Sequence, residues 1–204
     1  VALTTRPPLG PPEHARFVSY RESDMQRGVL LARVRWPGAG HVMIGCTHAE
    51  SFVGVENEHV VVPRRRRQLA EATALLAAEA QRHGCVAALL MGDLNWNDKD
   101  GELMNSVGDG WRDAWVEMGS AAATRSTCGW PTSNWRYDRL LLWRAAAPTG
   151  GAAQSRVVAS SLMLVGRKPI PGLRYTAPSG RSRSLAPSDH RGLLVTLEYK
   201  AAGS

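Results

Sequence analysis

The stretch "LLMGDLNWND", residues 89–98, decides how the rest of the chain is read. It carries Leu89, Leu90 and Met91 through Gly92 directly into two carboxylates and two carboxamides. The run "VAALLMG" (86–92) is short and continuously apolar, which suits a strand buried on both faces. Asp93 and Asn95 alternate at the C-terminal end of that strand, so both side chains can project toward one surface at the sheet edge. A carboxylate and a carboxamide oxygen are hard ligands, suited to a cation such as Mg²⁺ and to the water or phosphate oxygens around it. Gly-Asp-x-Asn is equally good turn chemistry, and taken alone the motif leaves both readings open.

Upstream, "GVLLARVRWPG" (28–38) and "HVMIGCTHA" (41–49) are β-rich runs around a Gly/Ala turn and read as an antiparallel hairpin. From Pro63 to His83 the pattern becomes helical: Leu69, Ala72, Leu76 and Ala80 share one face, Pro63 stands in the first turn, and Gly84 occupies the C-terminal cap. Strand, helix and strand therefore precede the Asp-x-Asn motif. Downstream, "GWRDAWVEMG" (110–119) predicts a short helix, and "RYDRLLLW" (136–143), "SRVVASSLMLVG" (155–166) and "GLLVTLEY" (192–199) predict strands. Residues 145–153 and 166–188 read as Gly/Pro/Ser-rich loops. Residues 1–15 hold four prolines and a glycine and read as an irregular entry with a short strand at "VALTT".

The 204 residues suffice for one domain with a real core, and 44% hydrophobic with 21% charged residues is an ordinary globular composition. No apolar run approaches the roughly 18–20 residues of a membrane span, so no membrane partner is expected. The three cysteines, Cys46, Cys85 and Cys128, are far apart and lack metal-site spacing, which predicts reduced thiols in an intracellular protein. A net charge of +7 favours an anionic partner such as nucleic acid, although an Arg-rich composition raises the pI by itself.

Three further clusters tie polar chemistry to strand ends. In "THAES" (47–51), His48 and Glu50 alternate where "HVMIGC" ends. In "SDH" (188–190), Asp189 can neighbour a metal while His190 hydrogen-bonds a phosphoryl oxygen, or the tripeptide is a plain turn. Asp138 enters the apolar strand "RYDRLLLW" between Arg136 and Arg139. It needs a partner, either one of those arginines or an imidazole whose tautomer it fixes. The basic run "PRRRR" (63–67) opposes the helix macrodipole. It admits three readings: DNA contact, a structural arginine at Arg65, or a nuclear-localisation signal. Trp96 either lies exposed beside the motif, where it could stack on substrate, or packs in the core. Trp130 and Trp135 are weaker candidates of the same kind.

Taken together, the order T-H-x-E-S, G-D-x-N, R-Y-D-R, S-D-H resembles the endonuclease/exonuclease/phosphatase (DNase I-like) superfamily of metal-dependent phosphodiesterases. With "DAWVEMG" and the helix start "RRRRQL", it is most similar to the 5′-tyrosyl-DNA phosphodiesterases. The resemblance runs from about "SDMQRGVLLARV" to the last strand. It implies an α/β fold, a two-layer β-sandwich flanked by helices, present over residues 1–204 as a single domain forming roughly the C-terminal two-thirds. It implies Mg²⁺ (Mn²⁺ as substitute) and, as substrate, DNA 5′ ends carrying a tyrosyl or peptide adduct, acted on by a monomer inside the cell and in the nucleus.

Carried across residue by residue, Asp93 orients the attacking water and Asn95 holds phosphate and water. His190 stabilises charge on phosphoryl oxygen, with Asp138 as its buttress. His48 is a further phosphate-side group, with Glu50 and Ser51 as its supporting loop. Asp189 joins Asp93 on the metal side, and Ser51, Trp96 and Arg65 line the substrate. The family's early Asn strand and metal-binding Glu have no counterpart in "VALTTRPPLGPPEHARFVSYRE", where Glu13 and Glu22 sit in the wrong context. The expectation is an N-terminal truncation or a degenerate member, with a weakly held metal and exposed apolar faces. Glu50 is not expected to replace the missing ligand, because its matched position serves the phosphate-side loop.

Overall fold

The computed structural model describes residues 2–7, 9–51, 58–96, 101–119, 126–128, 135–144, 156–166, 168–177 and 179–201. The predicted hairpin is present as β2 (Gly28–Trp36) and β3 (Gly40–His48), in register from Val29↔Thr47 to Trp36↔Gly40. Helix α1 (Glu58–Arg82) carries the chain back so that β4 (Ala87–Asp93) lies parallel to β3, as a crossover helix permits. β6 (Asp138–Trp143) pairs antiparallel with the other edge of β4, and β5 (Trp111–Asp113) with β6. β1 (Glu13–Ser19) joins the far side of β2, giving a six-stranded sheet in the order β1-β2-β3-β4-β6-β5.

Each face of this sheet has its own core. On one, Leu69, Ala72, Leu76 and Ala80 of α1 are fully buried against Leu31, Met43, Leu90 and Leu141. The helix approaches closely because residue 45 is glycine: a Cβ there would lie 2.5 Å from Leu76 Cδ1. On the other face Val34, Val42, Ile44, Leu89 and Leu142 meet an antiparallel ribbon of β7 (Arg156–Val165) and β10 (Gly192–Lys200). Leu193, Val195, Leu197 and Tyr199 of the ribbon point to that core and are half-buried. Met163 and Leu194 face outward and stand 57% and 53% exposed, so the second layer leaves apolar surface in solvent.

Several elements differ from the sequence reading. α1 begins at Glu58, five residues before Pro63, so the proline stands inside the helix, where it lacks the hydrogen bond to the carbonyl four residues back. "VALTT" forms no strand among its described residues. The first strand lies at Glu13–Ser19, where a register shift and the positive φ of His14 (51°) break the alternation that would have marked it. Residues 110–119 split into β5 and a one-turn helix α2 (Ala114–Glu117), since the Asp113 carboxylate accepts from Trp115 N at 2.9 Å and starts the helix there. The 166–188 loop contains a small hairpin, β8 (Arg174–Thr176) with β9 (Ser182–Ser184). The 145–153 loop lies outside the described residues.

Asp113 also resolves where the charges flanking Asp138 go. It is buried and binds Arg136 at 2.8 Å and Arg139 at 3.1 Å. Breaking a buried ion network by removing one partner leaves uncompensated charge. Asp113→Ala is therefore expected to lower unfolding free energy by about 3–5 kcal/mol in urea titrations. Glu117→Ala, which removes a solvent-accessible partner of Arg144, should cost about 0–1 kcal/mol.

Candidate active site

The sheet register builds the site. His48 is the parallel partner of Asp93, and Asp93 the antiparallel partner of Asp138, so three adjacent strand ends present three titratable side chains in a row. The row requires β3 and β4 to approach closely at Gly92. Its φ is 133°, and a Cβ at that position would lie 1.9 Å from the Thr47 carbonyl oxygen, so only glycine fits. His190, just before β10, is brought over the row by a bridge to Cys128 and by Arg191 N donating to Thr127 O at 2.7 Å.

Asp138 Oδ2 lies 2.8 Å from His190 Nδ1, which settles the open reading of Asp138: its partner is the imidazole, and the flanking arginines belong to Asp113. His190 Nε2 is 3.8 Å and His48 Nε2 3.3 Å from Asp93 Oδ2, so that oxygen faces two imidazoles. The other carboxylate oxygen, Oδ1, accepts from Asn95 N at 2.8 Å. Asn95 adopts φ 48°, a left-handed conformation that asparagine tolerates. Its Nδ2 donates to the Ala49 carbonyl at 3.0 Å, tying the turn after β4 to the end of β3.

Burial pushes the Asp93 carboxyl above its usual range, and the charge of Asp138 adds to this against the Asn95 N–H. Burial also lowers the His48 pKa, with Arg27 acting the same way and Asp93 opposing. At His190 burial acts downward too, but the hydrogen bond and charge of Asp138 outweigh it and the net shift is upward. The two imidazoles flanking Asp93 are thus biased in opposite directions, one toward neutral and one toward charged.

Asp93, Asp138 and His190 each offer a ligand atom, all within 4.8 Å of one another. One or two carboxylates suffice for a hard divalent cation that keeps several waters. This donor set fits such an ion with Asp93 as principal ligand, because Asp138 Oδ2 is engaged by His190. Asp189, expected on the metal side, is exposed and outside the trio; its described partner is Ser188 Oγ at 3.3 Å.

Two expected substrate contacts are corrected. Trp96 is fully buried in the core, its Nε1 donating to Gly101 O at 3.0 Å. Arg65 is also fully buried and donates to the Asn95 carbonyl, so it braces the turn from below. The rest of the basic run is compensated by protein groups: Arg64 by Asp24 at 2.7 Å, Arg67 by Glu22 at 2.6 Å, and Arg66 over the Trp96 ring at 5.8 Å. Trp130 lies outside the described residues. Trp135 is exposed and stacks on Tyr137 at 5.8 Å, which neighbours His190 at 6.4 Å. Ser51 is half-buried near Met25.

Glu50 supports the loop between β1 and β2. Fully buried, it accepts from Ser23 Oγ (2.6 Å), Asp24 N (2.9 Å), Met25 N (3.2 Å) and Gln68 Nε2 (3.1 Å). The pinned loop lines a cleft of about 140 Å³ beside His48, formed by Phe17, Met25, Gln26, Arg27, Gly28 and His48. Sequence reasoning missed Arg27, Gln68 and Thr127, the last of whose Oγ1 accepts from Asp138 N at 3.0 Å. Gln68 lies inside the "RRRRQL" signal, whereas Thr127 carries no pattern.

A family model described as Endonuclease/Exonuclease/phosphatase family matches residues 2–190, and the chain belongs to that family. Its members are hydrolases, typically dependent on a divalent metal, and share the DNase I-like fold seen here. Truncated TDP2 of Caenorhabditis elegans superposes with a TM-score of 0.63 at 22% identity, over 89% of this chain and 64% of that one. Danio rerio TDP2 complexed with single-strand DNA product gives 0.62 at 20%, over 92% and 68%. Sphingomyelinase C of Streptomyces griseocarneus gives 0.54 at 17%, over 91% and 64%. The chain spans 64% of the truncated C. elegans protein and 49% of another C. elegans TDP2. No curated protein matches the sequence significantly.

Two outcomes follow for stability. Gly92→Ala should destabilise the fold by at least about 1–3 kcal/mol from backbone strain alone, read by thermal unfolding. For Glu50, burial raises the pKa but the hydrogen bonds from Ser23, Gln68, Asp24 and Met25 outweigh it, so the folded value is depressed. The resulting stability is present above the unfolded pKa and lost as pH falls through the folded one. Glu50→Gln should accordingly be less stable than wild type at neutral pH, with the gap closing below pH about 4.

Proposed function

We propose that the chain is a Mg²⁺-dependent phosphodiesterase domain, with Mn²⁺ as substitute ion, that hydrolyses DNA 5′ ends carrying a tyrosyl or peptide adduct. It would act as a monomeric single domain inside the cell, in the nucleus. The observation that carries the reading is the row His48–Asp93–Asp138 across three strand ends, with His190 held over it by Asp138. The neighbouring TDP2 structures, one with single-strand DNA product, support the choice of substrate class.

In this reading Asp93 accepts a hydrogen bond from the attacking water and orients it. The water oxygen bonds to phosphorus and the bond from phosphorus to the phenolic oxygen breaks, leaving a 5′-phosphate and tyrosine, which takes up a proton. His190, as an imidazolium whose Nδ1–H is held by Asp138, donates from Nε2 to a phosphoryl oxygen as charge accumulates. His48 stands on the other side of Asp93 as a second phosphate-side group, and Ser51 belongs to its supporting loop, with its Oγ against Met25. A bound divalent cation would supply charge neutralisation at the phosphoryl group.

A second reading, nucleic-acid binding without turnover, is favoured by the thin ligand set: Asp93, Asp138 and His190 form the single such group among the described residues. Tyrosine release from a 5′-tyrosyl oligonucleotide with Mg²⁺ separates the two. Wild-type turnover that Asp93→Ala reduces by about 10²–10⁴-fold supports the hydrolase. Asp138→Asn should reduce kcat by up to about 10⁴-fold with little change in KM, the signature of a misoriented imidazole. Turnover in a chain extended upstream but not in this one would locate the missing ligand there. Silence in both would sink the tyrosyl-DNA reading.

A further inference from the structure

The net charge of +7 is unevenly placed. Residues 166–188 hold Arg167, Lys168, Arg174, Arg181 and Arg183 and no acidic residue, so this segment accounts for five of the seven net charges. Within it β8 and β9 pair as a hairpin that carries Arg174, Arg181 and Arg183, with Ala177 N donating to Arg181 O (2.9 Å) and Gly180 N to Ala177 O (2.8 Å). Leu185 N donates to Leu173 O at 3.0 Å and extends the pairing past the strand ends.

This register fixes the chemistry of one face. Tyr175 is the cross-strand partner of Arg183, and alternation puts Leu173 opposite Leu185, and Ala177 opposite Arg181, on the same side. The result is an aromatic ring between two guanidinium-bearing positions and a small apolar pair, with Tyr175 39% and Leu173 48% exposed. On the other side Arg174 is spent on the hairpin itself, its Nε donating to Ser182 Oγ at 2.8 Å. Leu185 and His190 are five positions apart, a span of at most about 18 Å when extended. The cationic face therefore lies within reach of the catalytic row.

We propose that the β8–β9 hairpin is a single-strand nucleic-acid arm: Tyr175 stacks on a base while Arg181 and Arg183 hold the adjoining phosphates. Guanidinium groups track the backbone and the ring accepts any base, which gives sequence-tolerant, salt-sensitive binding. The inference rests on the nucleic-acid reading of the site but not on its turnover. An anionic lipid surface would draw on the same cations, and the proximity of the hairpin to His190 favours a strand that must also reach that residue.

The test is fluorescence anisotropy with a labelled dT oligonucleotide in EDTA, across a salt series, with phosphatidylserine-containing vesicles as the counter-probe. Tyr175→Ala is expected to weaken oligonucleotide binding roughly 5- to 100-fold with an unchanged salt slope. The Arg181→Gln/Arg183→Gln double variant should weaken it and reduce the slope by about 1.4, two phosphate contacts at about 0.7 each. All three residues are exposed, so thermal midpoints should match wild type. Wild-type affinity and slope in both variants would overturn the proposal, as would loss of vesicle binding with oligonucleotide binding intact. Because the probe has no adduct and no metal is present, a chain that binds through the hairpin yet releases no tyrosine defeats only the hydrolase reading.

Discussion

The close approach of β3 and β4 at Gly92 is the constraint on which the site depends. A side chain at that position would run into the Thr47 carbonyl, and any separation of the strands would break the register that makes His48 and Asp93 partners. Thr47 is itself immobilised from the other side. Its hydroxyl donates to the Gly28 carbonyl at 2.9 Å and meets the Tyr20 hydroxyl at 2.5 Å, all in buried surroundings. The catalytic candidates therefore sit on strand ends whose backbone has little freedom, which is the arrangement that chemistry needing sub-ångström placement requires.

Beneath the carboxylates lies a layer of buried arginines, and what they bind matters. Arg65 donates to the Asn95 carbonyl, Arg139 to the carbonyls of Trp96 and Arg136, and Asp113 absorbs much of the remaining charge. The guanidinium groups thus fix the backbone around Asp93 and Asp138 without forming ion pairs with either carboxylate. Had either arginine taken Asp138, as its sequence neighbours allow, His190 would lack the partner that orients it.

Periodicity made the frame legible: the β2–β3 hairpin, the apolar face of α1 and the buried run of β4 all lie where the pattern puts them. Elements held by backbone irregularity were not. β1 is hidden by the left-handed His14, and the β8–β9 hairpin by a composition rich in proline, glycine and serine. Within the site, the strand-end positions of His48, Asp93 and Asp138 could be read from local sequence, whereas the pairing of Asp138 with His190 was legible only through the family resemblance. The Asp138–His190 contact joins residues 52 positions apart, and the burial of Trp96 and Arg65 depends on tertiary packing. Charge was the most misleading signal, because four consecutive arginines look like an anion site and prove to be braces and ion-pair partners.

That reassignment changes where an anionic partner can be recognised. Arg64 and Arg67 are held by carboxylates and Arg65 is buried, so three of the four arginines at the start of α1 are engaged by groups of the protein. Three further arginines, Arg174, Arg181 and Arg183, stand on a hairpin whose residues belong to neither core cluster and which ends a few residues before Ser188 and His190. In the proposed reading, chemistry and recognition are carried by different parts of the fold. The strand ends are rigid because two cores and a buried polar network determine them, whereas the hairpin is held by its own hydrogen bonds and can vary in sequence without disturbing the catalytic row. Such a division would let one scaffold keep the same acid–imidazole geometry while the charge and aromatic content of the arm decide which phosphodiester reaches it.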